Sequence, residues 1–435
     1  MKTRRDFMRS AVLGASASWT LPGFIDKTFA ELGDQASDQA VQFANGKDDT
    51  ILVVLQMAGG NDGLNTLVPY EDDLYYKARP TLGKKKNNLI QLEDGLGLNN
   101  SMPFLGSMFK EGSLGVVQGV GYPNPNRSHF VSTSVWETAD TNGRANTGWL
   151  GRYFDNACEG TDPTFGISFN KSTPESFGAM RNPGASLSSP ELYRWIHGGG
   201  QRAQAEEFFG ELNQPIANDN EPISGGSIEM AGGGKVGAIV GESNLKFLER
   251  VALDAQVSSK KILEVAAKHK TKVKYDGTPI ARNLNLVSRM IAGGMATRVY
   301  YVSHGGFDTH TGQLNTHDRL LGQLDSALKS FFTDLKQQGN DKRVMLMTFS
   351  EFGRRVAQNA SAGTDHGQAS CMFVAGGGVK GGMYGEYPSL SELSQGDLVH
   401  TVDFRSVYAD MLNGWLKAPG TQRILGGKFD GIGLV

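Results

Sequence analysis

The sequence predicts an α/β protein built on a large, mostly parallel sheet flanked by helices, with a loop-rich insertion. Three observations predict it. Five short apolar runs with β-branched residues are bounded by glycine or polar clusters, as strands buried on both faces are. A long helical repeat lies between the third and fourth runs, so the chain crosses back over the sheet there. Glycine accounts for 57 of 435 residues, about 13% against an average of about 7%. The glycines cluster where loops are expected and follow no collagen-like period.

Residues 1–30 read as a targeting segment outside the fold. Arg4-Arg5 precede a mildly apolar run from Ala11 to Ile25, and Thr28-Phe29-Ala30 offers small residues near a cleavage point. The run is too short, and too rich in Gly and Ser, for a stable membrane span. The paired arginines resemble the twin-arginine (Tat) signal, which exports folded proteins. That implies a periplasmic or secreted protein, with the Tat translocase as a partner during export. Residues 31–49 are polar and read as a linker.

From residue 50 the strands follow. Ile51 to Met57 is the first, running into Ala-Gly-Gly; Leu114 to Val120, Arg298 to Ser303, Arg343 to Thr348 and Cys371 to Ala375 are the others. Within His317 to Lys336, residues Leu320, Leu321, Leu324, Leu328, Phe331, Phe332 and Leu335 recur at helical spacing. Strand, helix, strand makes a βαβ unit and a parallel sheet. Residues 160–240 are rich in Gly, Asn, Ser and Pro, and Asn244 to Lys270 and Asn283 to Gly293 then read as helices. The stretch of about 160–290 is expected to be an insertion or cap within a domain spanning 50–435, and loops of that size are usually functional or disordered.

Charge and cysteine narrow the function. With 43 Lys+Arg, 45 Asp+Glu and a net charge of −2, the chain is no polycation built for nucleic acid. Cys158 and Cys371 are the only cysteines, too few for a disulfide framework or a cysteine zinc site. In an oxidising compartment they could pair if the fold brings them together.

Four polar clusters follow or face strand ends, where ligands sit in open parallel sheets. After the first strand comes Gly59-Gly60-Asn61-Asp62-Gly63, in which the glycines allow a tight turn and close approach to a ligand and Asp62 offers a hard oxygen. An Asx turn explains the same letters. After the second comes Asn126-Arg127-Ser128-His129-Phe130 at a helix start. Ser128 is either an N-cap or a hydroxyl nucleophile where the helix end favours an anion, and Arg127 could hold that anion bidentately. Third is His304-Gly305-Gly306-Phe307-Asp308-Thr309-His310, with His317 beyond. Asp308 and His310 can reach one cation, and imidazole with carboxylate suits Zn, Mn or Fe better than Ca. Fourth come Ser350-Glu351-Phe352-Gly353-Arg354 and Thr364-Asp365-His366-Gly367. Glu351 is open to reading as a metal ligand, a general base or an Arg354 partner.

The order of these clusters, from Ile51–Gly63 through Asn126–Phe130, Phe307–Gln313, Phe349–Arg354 and Gly363–Gly378 to Asp403-Phe404-Arg405, resembles the bacterial family known as domain of unknown function 1501. That family falls in the alkaline phosphatase and sulfatase superfamily. The resemblance implies an alkaline phosphatase-like sheet carrying one or two divalent metals, Zn or Mn, at its carboxyl edge. It implies Asp62, Asp308, His310 and His366 as metal ligands and Ser128 as nucleophile, with Thr133 a weaker match. The superfamily's adjacent Asp-His pair after the fourth strand is replaced here by Ser350-Glu351-Phe352. A carboxylate survives and an imidazole is lost, so Glu351, with His304 or His317, rebuilds the second metal site, or one ion binds.

Two functions follow as expectations. The first is an exported, metal-dependent hydrolase of phosphate or sulfate esters, acting on a small-molecule or polysaccharide anionic ester. There Ser128 attacks, Arg127 holds the anion, and His129 or His366 serves as acid. The alternative is an exported binding or assembly protein that keeps the fold without turnover. A formylglycine-type sulfatase is not expected, because neither cysteine stands at the helix start.

The export reading has a direct test. Arg4→Lys with Arg5→Lys should leave the protein in the cytoplasm, since the paired guanidiniums are the recognised feature. Fractionation of cells expressing both forms measures this, and equal periplasmic yield would refute it.

Overall fold

The computed structural model describes residues 50–157 apart from 94, 163–187 apart from 171, and 267–435, with Ile262, Glu264 and Val265. The expected export segment and linker, Cys158 and most of the Asn244–Lys270 segment lie outside the described residues.

The strands are β1 Ile51–Ala58, β2 Leu67–Pro69, β3 Leu89–Gln91, β4 Leu96–Asn99, β5 Leu114–Gly121, β6 Gly166–Ser168, β7 Ala185–Ser186, β8 Val299–Gly305, β9 Val344–Phe349, β10 Ser370–Gly376, β11 Gly382–Tyr384, β12 Leu393–Ser394, β13 Asp397–Leu398 and β14 Val402–Asp403. The helices are α1 Gly63–Thr66, α2 Asp73–Ala78, α3 Pro103–Lys110, α4 His129–Thr138, α5 Trp149–Ala157, α6 Pro279–Ala292, α7 Gln313–Gln338, α8 Phe404–Ala409 and α9 Thr421–Leu425. All five expected core strands are present. The main sheet runs β11-β5-β10-β9-β1-β8-β6-β7, with β14 also paired to β5. Two strands of this sheet, β6 and β7, come from residues that composition alone assigns to the insertion.

β1 is central because both its faces are apolar. Ile51, Val53, Leu55 and Met57 join the core under α3, α6 and α7. Leu52 and Val54 join the opposite core with Trp136, Trp149 and Tyr408. A strand covered on both sides reads as an unbroken apolar run, since successive side chains alternate between faces. Its neighbours β8 and β9 are both parallel to it. The crossover between them is α7, whose residues Leu320, Leu321, Leu324, Leu328, Phe331, Phe332 and Leu335 are all buried.

One strand departs from the parallel expectation. β10 is antiparallel to both β9 and β5. Residues 350–369 contain no helix to carry the chain back to the other edge, and a parallel return needs such a crossover. Arg354 instead pairs antiparallel with His366 in a tight reversal. The reversal has a functional consequence. The start of β10 lies at the same edge as the ends of β1, β5, β8 and β9, so His366 meets the loops that follow those strands.

The glycines after β1 are packed closely against the chain. Gly59 has φ +120, and a Cβ there would lie 2.5 Å from the Asp308 backbone nitrogen. Gly60 has φ +80, and a Cβ would lie 2.3 Å from the Phe352 ring. Gly59→Ala is therefore expected to destabilise the protein by more than about 1 kcal/mol, because the backbone conformation and the close approach both reject a side chain. Denaturant unfolding of the two forms would measure this, and an unchanged midpoint would contradict it.

Candidate metal centre

Two loops, after β8 and before β10, bring Asp308, His310 and His366 together. Asp308 Oδ1 lies 3.0 Å from His310 Nε2 and 3.0 Å from His366 Nε2. The two Nε2 atoms are themselves 3.0 Å apart. His129, the first residue of α4, approaches from the side, with Nε2 3.6 Å from Asp308 Oδ2. The donor atoms of His129, Asp308 and His366 lie within 4.8 Å of one another.

The outer partners set the tautomers. His366 Nδ1 lies 2.8 Å from the Arg127 carbonyl oxygen, which can only accept, so Nδ1 carries the proton. His310 Nδ1 lies 3.1 Å from Asp365 Oδ1, and His129 Nδ1 lies 2.8 Å from Glu351 Oε1. Each carboxylate likewise accepts a hydrogen bond from the ring N–H. In the neutral rings all three Nε2 atoms then carry lone pairs, and they converge on the Asp308 carboxylate with no proton among them. A cation among them, a proton or a metal ion, would satisfy this arrangement. Imidazoles turned by hydrogen bonds from the far nitrogen are how proteins present metal ligands. Tetrahedral ligands at about 2.0–2.1 Å from zinc sit about 3.3 Å apart, so these donors need to open by only a few tenths of an ångström. Asp308, His310 and His366 thus fit one divalent cation, with His129 at its flank.

Arg354 holds this centre from below. Its buried guanidinium donates to the carbonyls of Gly59, Gly60, Phe307 and Thr364 and, at 2.7 Å, to Asp308 Oδ1. Burial alone would raise the Asp308 carboxyl, but the Arg354 hydrogen bond and charge help to outweigh it and hold the group down at about 2.

The other expected residues are placed differently. Asp62 is buried, and its Oδ2 pairs with Arg79 at 2.6 Å and accepts from Gln313. Burial raises its carboxyl, yet the Arg79 guanidinium overcomes this and keeps it below the ordinary value. Its charge is met by a side chain, and it shares no hydrogen bond with the Asp308 centre. Glu351 is buried; Oε1 accepts from the Gly59 N–H at 2.9 Å and from His129. It therefore orients His129 rather than pairing with Arg354, His304 or His317. His304 Nε2 is bonded to the Leu320 carbonyl, and His317 Nε2 to Asn61 Oδ1. Burial pushes His317 down to about 4, so that ring is neutral. Arg127 does not present an unpaired guanidinium: its Nε donates to Asp397 Oδ2 at 2.9 Å. Ser128 stands at the N-cap position of α4, exposed, but its hydroxyl makes no capping hydrogen bond. Cys371 is buried in β10, and burial pushes its thiol up to about 12. Sequence reasoning missed Arg79 and Asp397. Both lie in stretches without a motif, and only the fold puts them against Asp62 and Arg127.

Fold and site together define a mixed α/β protein with a histidine–aspartate centre at the carboxyl edge of a mostly parallel sheet. The chain matches, over residues 227–414, the family described as Protein of unknown function (DUF1501), the family its motifs resemble. No curated protein matches it. Among solved structures it is similar to the PsFucS1 sulfatase from Pseudoalteromonas sp., at 10% identity and TM-score 0.36, covering 92% of this chain and 74% of that one. It is also similar to the lipoteichoic acid synthase LtaP from Listeria monocytogenes, at 8% identity and TM-score 0.31, covering 92% and 80%. A protein in the alkaline phosphatase superfamily from Vibrio parahaemolyticus is matched at 7% identity and TM-score 0.32, covering 82% and 71%.

Asp308→Ala, His310→Ala and His366→Ala should each reduce bound divalent metal and lower the melting temperature, since metal held by the native state stabilises it. Elemental analysis and calorimetry of purified protein measure both. Full metal and an unshifted melting curve in all three variants would remove the assignment.

Proposed function

We propose that the chain is an exported, metal-dependent hydrolase of phosphate or sulfate esters that works with one divalent ion, Zn or Mn, held by Asp308, His310 and His366. The observation that carries this is the convergence of their lone pairs beside Ser128, a helix-start hydroxyl that caps nothing. The single-ion reading rests on Asp62, whose charge Arg79 already meets. When bound, the ion would lower the pKa of the attacking group and offset charge on the transferring oxygens.

The chain's own residues supply the rest. The N-terminal N–H groups of α4 face the anion of a bound ester, where the helix end favours negative charge. His129, oriented by Glu351 through Nδ1, has its Nε2 lone pair available to take a proton. Ser128 Oγ bonds to phosphorus or sulfur, its proton passes to His129, and the ester bond to the alcohol breaks. The same proton then goes to the departing alkoxide. Water repeats the sequence on the seryl ester and restores Ser128. Arg127 is assigned no part in holding the transferring group in this scheme; its Nε and Nη2 donate to Asp397.

Two observations favour the alternative, an exported binding or assembly protein without turnover. The carboxylate of Asp62 is neutralised internally, and the pair expected after β9 lacks its imidazole. A panel of aryl phosphate and aryl sulfate esters, assayed with metal-loaded protein, separates the two readings. Turnover of neither ester at one bound ion per chain would favour the alternative.

If the hydrolase reading holds, Ser128→Ala should lose several orders of magnitude in turnover with its metal retained. Its stability should change by well under the roughly 1 kcal/mol of a lost helix cap, because no capping bond is removed. Rates and unfolding midpoints at matched metal content check both halves. A variant keeping more than about a tenth of the rate would pass the nucleophile's role to Thr133 or to water.

A further inference from the structure

Beside the metal centre lies a second charged cluster that the hydrolytic scheme does not use. Asp397 is fully buried, and two arginines, each about a third exposed, converge on it. Arg127 gives Nε and Nη2 to Asp397 Oδ2, while Arg355 gives Nε to Oδ1 at 3.3 Å and Nη2 to the Gln395 carbonyl. One carboxylate therefore fixes two guanidiniums, and one positive charge is left over. The Nη1 group of each arginine makes no hydrogen bond to the described residues. Asp365 also interacts electrostatically with Arg355, and its carboxylate is engaged by His310 and Asn359.

Both arginines are tied by backbone to the centre. The Arg127 carbonyl accepts from His366 Nδ1, and residue 127 adjoins Ser128. The Arg355 N–H donates to the Asp365 carbonyl at 3.0 Å, one residue from His366, and Arg355 follows Arg354. A buried carboxylate that orients two partly exposed guanidiniums prepares them for an oxyanion, because the planar forks lose little freedom on binding.

We infer that Arg127 and Arg355, held on Asp397, form an anion subsite next to the metal centre, and that it takes a second anionic group of a polyanionic ester. The ligand class is a chain carrying repeated sulfate or phosphate groups, one at the centre and a neighbour at the arginines. The inference rests on the hydrolase reading only in calling that ligand a substrate; the subsite itself stands on Asp397 and the two guanidiniums.

The test is equilibrium binding of metal-loaded protein to dextran sulfate, to inorganic polyphosphate and to uncharged dextran, for the wild type, Arg355→Gln and Arg355→Lys. Wild type should bind at least one polyanion and not uncharged dextran, and the stronger arm identifies sulfate or phosphate as the preferred group. Arg355→Gln should weaken that binding about tenfold, the scale of one lost charged hydrogen bond. Arg355→Lys, which keeps the charge but not the fork, should fall between. Metal content should be equal in all three. Equal polyanion affinity in wild type and Arg355→Gln, or no preference of the wild type for polyanions over uncharged dextran, would overturn the subsite. Arginine-dependent binding without ester turnover would support the subsite and refute the hydrolase reading.

Discussion

Arg354 is the point at which the loops of the sheet edge meet. Its guanidinium is buried, and it binds carbonyls from the β1 turn, from the loop after β8 and from the segment before β10, together with the Asp308 carboxylate. A buried cation is tolerated only when its donors are satisfied. These loops are therefore constrained to the arrangement that satisfies it, with each charged hydrogen bond contributing about 1.5–3 kcal/mol. The tight turn at Gly59 and Gly60 follows from the same constraint. The carbonyls of both glycines point at Arg354, and the backbone of residues 307–308 packs against Gly59 at a distance that excludes a Cβ.

Charge pairing then explains which acids are available. Asp62 is matched by Arg79, and Glu351 is committed to His129 and the Gly59 N–H. Asp308 alone combines an arginine partner with three imidazoles whose lone pairs face it. Arg354 occupies one side of Oδ1, and the open side is where His310 and His366 converge. The edge thus separates carboxylates that are committed to internal partners, and hold the architecture, from one carboxylate on which three imidazoles converge.

The reversal of β10 joins fold and site. With a parallel β10, the residues just before that strand would lie at the opposite edge, far from Asp308. Entered directly from the loop after β9, the strand runs backwards and carries His366 and Asp365 into the centre. The βαβ unit is legible in the sequence because α7 buries a periodic apolar stripe. The reversal also leaves a trace, the absence of any helical period between Phe349 and Ser370. Without the sheet, that trace does not fix a direction.

Hydrophobic periodicity is a local property, so the five strands, the long crossover helix and the edge to which the polar clusters belong were determined by the sequence by itself. Asp308, His310 and His366 were legible for the same reason, since each lies in a short loop next to a strand end. Ion pairing is not local. Asp62 with Arg79 spans 17 residues, Arg127 with Asp397 spans 270, and His129 with Glu351 spans 222. No pattern along the chain marks such partners. Only the tertiary structure decided that Asp62 is neutralised, that Glu351 orients a histidine, and that Arg127 belongs to a second cluster, because a carboxylate's role depends on which cation the fold brings within about 4 Å of it.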